Sequence, residues 1–307
     1  MKKEENIPLK FDSLSEAHHA FGLPKPLHPL ISLIDSTRNP IESGKLRHSH
    51  VLTFYKVALK GKMSGKLRYG QDYYDFDEGG LLFAAPSQII GNYNDTMHEH
   101  CSLFTLLIHP DFLLHYPLAK KIRQYGFFSY SANEALHLSE QEKAVILSIF
   151  EIMQTELNSR IDEFSQDVMI SQIELLLNYA NRFYKRQFIT RKASGNNLLE
   201  KLEIILDDYF GQEKSLDQGI PTVQFLSDNL NISPSYLSDM LRSLTGQNAQ
   251  QHIHQKLIEK AKEKLSTTSL TVSEVAYELG FEHPQSFSKL FKTKTSLSPL
   301  EFRRSFN

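Results

Sequence analysis

The chain has 307 residues, 40% of them hydrophobic, with 34 basic against 36 acidic side chains and a net charge of −2. That length suits two domains at roughly 100 to 200 residues each, and the near-balance of charge argues against a protein that holds polyanions by bulk positive charge. No apolar run approaches the roughly 20 residues of a membrane span, and the opening MKKEENIPLKFDSL has no apolar core of a secretion signal. The single cysteine, Cys101, excludes an internal disulfide and a cysteine-rich zinc site. A cytoplasmic protein without a membrane partner is the expectation.

From Ile31 to about Ile108 the chain reads as short strands: VLTFYKVALKG, GKLRYG, DYYDFD, GGLLFAAP and SQIIGNY. Aromatic and β-branched residues alternate there with polar ones between Gly61, Gly65, Gly70, Gly79 and Gly80, which predicts a small antiparallel barrel or sandwich able to hold a ligand in its mouth. After His109-Pro110 the period becomes helical. Ser139 stands three residues before Glu142, a capping-box spacing that opens a helix to Asn158. A second helix is predicted from about Asp162 to Arg186, with Phe164, Val168, Ile173, Leu176, Leu177, Ala180 and Phe183 on one broad stripe. That stripe fits either packing on the β domain or a subunit interface. RKASGNN, Arg191 to Asn197, has linker composition, and a helix follows from Leu198 to about Phe210.

The C-terminal segment repeats itself. Thr222 to Asn248 matches Thr271 to Pro299 at an offset of 49, with Val223 on Val272, Leu226 on Val275, Ser227 on Ala276 and Leu230 on Leu279. Asn231 falls on Gly280, the residue types that most readily accept a left-handed backbone, and each is followed by an apolar residue. Past this turn the offset is 50, so Leu237, Met240 and Leu241 match Phe287, Leu290 and Phe291 as the buried side of a second helix. Pro234 and Pro284 suit the first turns of these helices, and Ser233 suits an N-cap. Helix, tight turn and helix with a polar outer face is the layout that presents a recognition helix to the major groove. Between the copies Ile253, Leu257, Ala261 and Leu265 recur every four residues, which predicts one helix that spaces the two units. From Pro221 onward ten basic residues face eight acidic ones, a mild excess.

These residues resemble the arabinose-regulator (AraC/XylS) family of transcription factors over about the last ninety positions, most specifically in TVSEVAYELGFEHPQSFSKLFKTKTSLSPLEFRR, Thr271 to Arg304. The resemblance implies an α+β chain in three parts. Residues 1–190 would be a cupin-like β-barrel sensor with a helical extension, 191–197 a linker, and 198–307 an all-α DNA-binding domain of two helix-turn-helix units joined by a long helix. It also implies that Ser235, Tyr236, Ser238, Asp239 and Arg242 line the first recognition helix, and Gln285, Ser286, Ser288, Lys289 and Lys292 the second. Gln suits adenine, and Arg or Lys suits guanine or phosphate. Two positions depart from the family pattern: Asp239 stands where a base is frequent, and Ser296 where glycine is usual. The expected partners are an operator duplex, a small-molecule effector, a second copy of the chain and RNA polymerase, with no cofactor.

An enzymatic alternative rests on His48-Ser49-His50, similar to the HxH of metal cupins. VLTFYK follows without the usual carboxylate, and no histidine falls shortly after Pro86. His98-Glu99-His100 is a second cluster whose i and i+2 side chains share a face only on a strand. There is no GxSxG elbow, glycine-rich phosphate loop or spaced cysteine pair. A sequence-selective regulator, not an enzyme, is therefore the expectation.

Overall fold

A computed structural model describes residues 9–39, 50–61, 66–69, 72–75, 79–90, 102–130, 134–160, 162–190 and 192–305. The chain divides into two compact units, Met1–Gln187 and Phe188–Asn307.

The first unit opens with strand β1 (Leu9–Phe11) and helix α1 (Leu14–Ala20). Strands β2 (Ile31–Asp35), β3 (His50–Leu52), β4 (Tyr55–Lys60), β5 (Lys66–Tyr69), β6 (Asp72–Asp75), β7 (Gly80–Ala84), β8 (Ile89–Ile90) and β9 (Ser102–Ile108) follow. Short helical turns that include α2 (Leu118–Lys121) lead to β10 (Leu136–His137), α3 (Glu140–Asn158) and α4 (Ser165–Thr190), whose last three residues already belong to the second unit. Three sheets form: β10-β7-β4-β9-β2, β1-β3-β8, and the pair β5-β6. The antiparallel β4 is central to the first, and its Val57, Ala58 and Leu59 are buried.

Among the described residues these sheets do not close into the expected barrel, because β10 and β2 are outer strands of the five-stranded sheet. VLTFYKVALKG, read as one strand, is two strands in different sheets. The chain breaks at Thr53, whose N–H and hydroxyl both donate to the Phe11 carbonyl, while Phe54 turns into the core. The helix α1 was not anticipated, although Ser13 and Glu16 form the same capping box as Ser139 and Glu142. On α4 the expected stripe splits. Ile173, Leu176, Leu177, Ala180 and Phe183 are buried, while Phe164 and Val168 are exposed. The helix α4 is tied to earlier segments through Lys121–Glu174, the Tyr125 hydroxyl donating to Asn178, and Arg186 donating to Glu142 through two nitrogens.

The second unit begins its helices with α5 (Lys192–Gly211), six residues ahead of the predicted Leu198. Ser, Gly and Asn each cost a helix only about 0.5 to 1 kcal/mol relative to Ala. The burial of Leu202 and Leu206 one turn apart on the same helix outweighs that penalty. Then come α6 (Lys214–Gln218), α7 (Val223–Leu230), α8 (Pro234–Thr245), α9 (Ala249–Thr267), α10 (Val272–Glu278), α11 (Pro284–Thr295) and α12 (Pro299–Arg304).

The internal repeat is a repeat of backbone as well as of sequence. In the first copy the Ile232 N–H reaches the Ser227 carbonyl, and in the second the Phe281 N–H reaches that of Ala276, both at 3.0–3.1 Å. This is the six-to-one bond of a Schellman turn, and Asn231 (φ 55°) and Gly280 (φ 87°) supply its left-handed residue. The exits also match. Thr245 and Thr295 each donate a hydroxyl hydrogen four residues back and receive the N–H two residues on. Gly246 (φ 78°) and Ser296 (φ 64°) then turn left-handed, and Asn248 with Gln251, like Ser298 with Glu301, forms a capping box on the next helix.

Gly280 is constrained twice. Its backbone is left-handed, and a Cβ there would lie 2.5 Å from the Gly219 carbonyl carbon. We expect Gly280→Ala to lower the unfolding free energy by about 2 to 5 kcal/mol, the combined cost of a left-handed alanine and an overpacked contact. Asn231→Gly should change it by no more than about 0.5 kcal/mol. Urea titration of both variants checks this, and equal destabilisation would refute the close contact.

Two capping carboxylates are held below their ordinary pKa. Hydrogen bonds from the backbone and hydroxyl of Thr271 lower the pKa of Glu274, and those from the hydroxyl and backbone of Ser298 lower that of Glu301, from an ordinary value of 4.5. A depressed carboxylate stabilises the fold above its unfolded pKa, and that contribution disappears as pH falls through the folded value. Thermal scans should therefore show Tm declining below about pH 4.5. The Glu274→Gln/Glu301→Gln variant, which keeps both boxes, should show a shallower decline, and an identical slope would exclude these groups.

Candidate nucleic-acid interface

Each helix-turn-helix copy is built by an apolar stripe turned inward. On α8, Tyr236, Leu237, Met240 and Leu241 are buried, and on α11, Phe287 and Phe291. Their rings interlock further: Phe281 meets Phe287 edge-on at 5.4 Å, and Phe291 meets Phe302 at 5.4 Å. The helix α9 joins the two copies, with Ile253, Leu257, Ala261 and Leu265 all buried in one hydrophobic cluster together with Leu226, Leu241, Val275 and Phe287. At 1.5 Å per residue its 19 residues span about 28 Å.

The outward faces of α8 and α11 carry the residues singled out from sequence, with one correction. Gln285, Ser286, Lys289 and Lys292 are exposed on α11, and Ser288 is half-buried. On α8, Arg242 is exposed, and Ser235, Ser238 and Asp239 are half-buried. Tyr236, expected to line the first recognition helix, is 0% exposed. It stands one turn before Met240 and widens the inward stripe, and its ring meets Phe188 edge-on at 5.2 Å. Its counterpart in the second copy, Ser286, is small and exposed.

The two faces differ in charge. Arg242 donates to the Asp239 carboxylate at 2.7 Å, so the arginine of α8 is partly neutralised one turn away. Among the described residues Lys289 and Lys292 have no carboxylate within ion-pair distance, and Lys294 adds a third cation at the end of α11. Several other lysines of this unit are committed internally. Lys256, on α9, donates to Glu203 and Asp207 of α5 at 2.9 Å each, Lys260 lies 3.7 Å from Asp207, and Lys264 pairs with Glu278. Burial disfavours the Lys256 ammonium, but the two carboxylates outweigh this and raise its pKa. Basic side chains outside these pairs thus include Lys289, Lys292 and Lys294 of α11, besides Lys262 of α9 and Arg304 of α12. Periodicity does not reveal the Lys256 cluster, because its partners lie about fifty residues upstream.

In the first unit His50 is buried, and its ring stands between those of Phe21 at 5.4 Å and Phe11 at 6.2 Å. His48, His98, His100 and Cys101 lie outside the described residues. Among the described residues no three His, Cys, Asp or Glu side chains gather as metal ligands, and no helix is long and apolar enough to cross a membrane.

Comparison with known proteins finds matches to part of the C-terminal unit. A helix-turn-helix domain model matches residues 226–305. The transcriptional regulatory protein YesN of Bacillus subtilis is 37% identical over 79 residues, 25% of this chain and 22% of the relative. The transcriptional activator RhaS of Escherichia coli O1:K1 / APEC is 26% identical over 151 residues, 49% of this chain and 50% of the relative. Among solved structures, the C-terminal domain of the two-component response regulator yesN from Fusobacterium nucleatum is 33% identical. That match covers 35% of this chain and 98% of the other, at a TM-score of 0.31. The chain spans about half or less of the length of these curated relatives. Residues 226–305 therefore form a helix-turn-helix domain of the AraC/XylS type.

Proposed function

We propose that the chain is a sequence-specific, DNA-binding transcription regulator of the AraC type that works in the cytoplasm. Its second unit would read an operator, and its first, a cupin-like sensor ending in α3 and α4, would respond to a small-molecule effector. The observation that carries the DNA reading is the duplicated helix-turn-helix with Gln285, Lys289 and Lys292 exposed on one helix of the second copy. Exposed amide and ammonium groups at i, i+4 and i+7 follow one helix face, as base and phosphate contacts require.

On this reading the second copy supplies most of the ionic contact, because Arg242 in the first is shared with Asp239. Selection of bound sites from random DNA by the full chain should enrich a two-part motif whose halves lie about 10 to 10.5 base pairs apart. On the selected site, Lys289→Ala and Lys292→Ala should each cost about 1 to 3 kcal/mol if the lost contact is to a base edge, or flatten the salt dependence by about one unit if it is to phosphate. Asp239→Asn should do the opposite, tightening binding and steepening the salt slope by about one unit as Arg242 is released. Failure to enrich any motif would overturn the regulator reading. Unchanged affinity and slope in all three variants would remove α8 and α11 from the interface.

Dimerisation through α4 belongs to the same proposal. Val168 and Leu175 are exposed large apolar residues seven positions apart on α4, and Phe164 is exposed in the turn just before it, spacing that fits a helix-to-helix seam. Sedimentation of the full chain at micromolar concentration should give a dimer that Val168→Glu/Leu175→Glu converts to monomer. A monomeric wild-type protein, with and without operator, would remove this element.

A further inference from the structure

The first unit holds a cavity of about 220 Å3 beside β2, lined also by residues 23–27, by Asn39 and by the last turn of α3. β2 is an outer strand, and its hydrogen-bonding pattern shows what its open edge offers. It runs antiparallel to β9 with Leu33 opposite Leu106. The His109 N–H donates to the Leu30 carbonyl, and the Ser36 N–H donates to that of Leu103. Bonded and non-bonded residues alternate along an antiparallel pair, so Ser32 and Ile34 bond β9. The N–H and C=O groups of Ile31 and Leu33 then point the other way, where no described strand follows. Both residues line the cavity.

The lining mixes apolar side chains, among them Leu23, Leu27, Ile34 and Leu157, with polar ones that are mostly neutral. His18 and Ser32 are each 5% exposed, and the His18 ring bridges the Pro24 carbonyl and the Ser32 hydroxyl, the latter at 2.8 Å. A carbonyl only accepts, so His18 Nδ1 donates to Pro24 and Nε2 accepts from Ser32, which leaves the Ser32 oxygen lone pairs to spare. Burial lowers the His18 pKa against the Pro24 bond that raises it, consistent with this neutral ring. Asp35 also lines the cavity, but its carboxylate is occupied by the Thr37 N–H, the Thr37 hydroxyl and Arg38. The remaining polar lining is the amides of Asn39, Gln154 and Asn158, besides Lys25 at the exposed side.

We propose that this cavity binds a small uncharged molecule carrying adjacent hydroxyl or carboxamide groups. Each strand-edge residue and each side-chain amide sets a donor beside an acceptor, the pattern that hydroxyl and carboxamide groups complement. The volume lies below the roughly 300 to 1,000 Å3 of drug-sized sites, which leaves no room for an added strand of several residues. The inference deepens the effector part of the proposed function and takes its biological role from it, while the binding itself requires no DNA.

The test is titration of the full-length, nitrogen-15-labelled chain with erythritol, N-acetylglycinamide, acetate, and an acetylated, amidated Thr-Val hexapeptide. One of the two neutral small probes is expected to shift the Leu33 amide signal saturably. Leu157→Trp, which fills the cavity from α3, should weaken that binding by about tenfold or more, and Asn39→Ala, a milder change, should weaken it in the same direction. No saturable shift with either neutral probe, a shift unaltered in both variants, or a response to acetate or the hexapeptide alone would overturn the proposal. Operator affinity in the same preparations separates the two readings. A probe that binds at Leu33 without changing operator affinity leaves the site standing and removes its effector role. Normal operator binding with no probe response removes the site and leaves the DNA-binding reading standing.

Discussion

Burial of one stripe of α9 ties both helix-turn-helix copies to a single interior. Ile253, Leu257, Ala261 and Leu265 share one apolar cluster with residues of α7, α8, α10 and α11, and each large aliphatic side chain so buried contributes about 1.5 to 3 kcal/mol. Neither copy is large enough to enclose a core alone, so the connecting helix is the common wall of both. The same helix turns Lys256 toward Glu203 and Asp207, which fixes its rotation relative to α5. That ion pair contributes little net stability after desolvation, but it leaves only one rotation of α9 in which a buried ammonium is satisfied.

The copies share turn, exit and following cap, and differ in one residue inserted before α11 and on their surfaces. Turn, exit and next-helix cap coincide bond for bond. Where α11 shows Ser286 and lysines with no ion pair among the described residues, α8 hides Tyr236 and couples Arg242 to Asp239. Duplicated packing with diverged faces separates two constraints: the interior must be conserved in shape for either copy to fold, and the outer residues are free to differ in what they contact. Ser296 marks the limit of this freedom, since a left-handed backbone survives there without glycine.

Much of this was legible because the signals are local. Capping boxes at Ser139, the paired left-handed turn at Asn231 and Gly280, the four-residue period of α9 and the change of offset from 49 to 50 all depend on neighbours within one or two turns. The failures involve distant partners. Tyr236 reads as polar on its own helix and is buried by tertiary packing. VLTFYKVALKG reads as one strand because nothing in its pattern announces that Phe11 draws Thr53 aside. The polar start of α5 reads as linker because propensity is a weak prior once a helix is anchored further along. Closure of a barrel is a statement about strand edges meeting, and alternation along a strand carries no information on its edge neighbours. The cavity beside β2 was invisible for the same reason, since its lining comes from segments more than a hundred residues apart.

On the proposed DNA-binding reading, a shared interior also sets how the second unit would accommodate an imperfect duplex. Inserting one base pair between two groove sites rotates one against the other by about 35°, given 10 to 10.5 pairs per turn. A reader with a flexible joint would absorb that rotation in the protein. Here any swivel of one copy against the other would have to open the apolar seam along Leu257 and Ala261, so the strain passes to the nucleic acid as twist or bend. Target choice then depends on how easily the uncontacted central base pairs deform, a property written in DNA positions that no side chain touches.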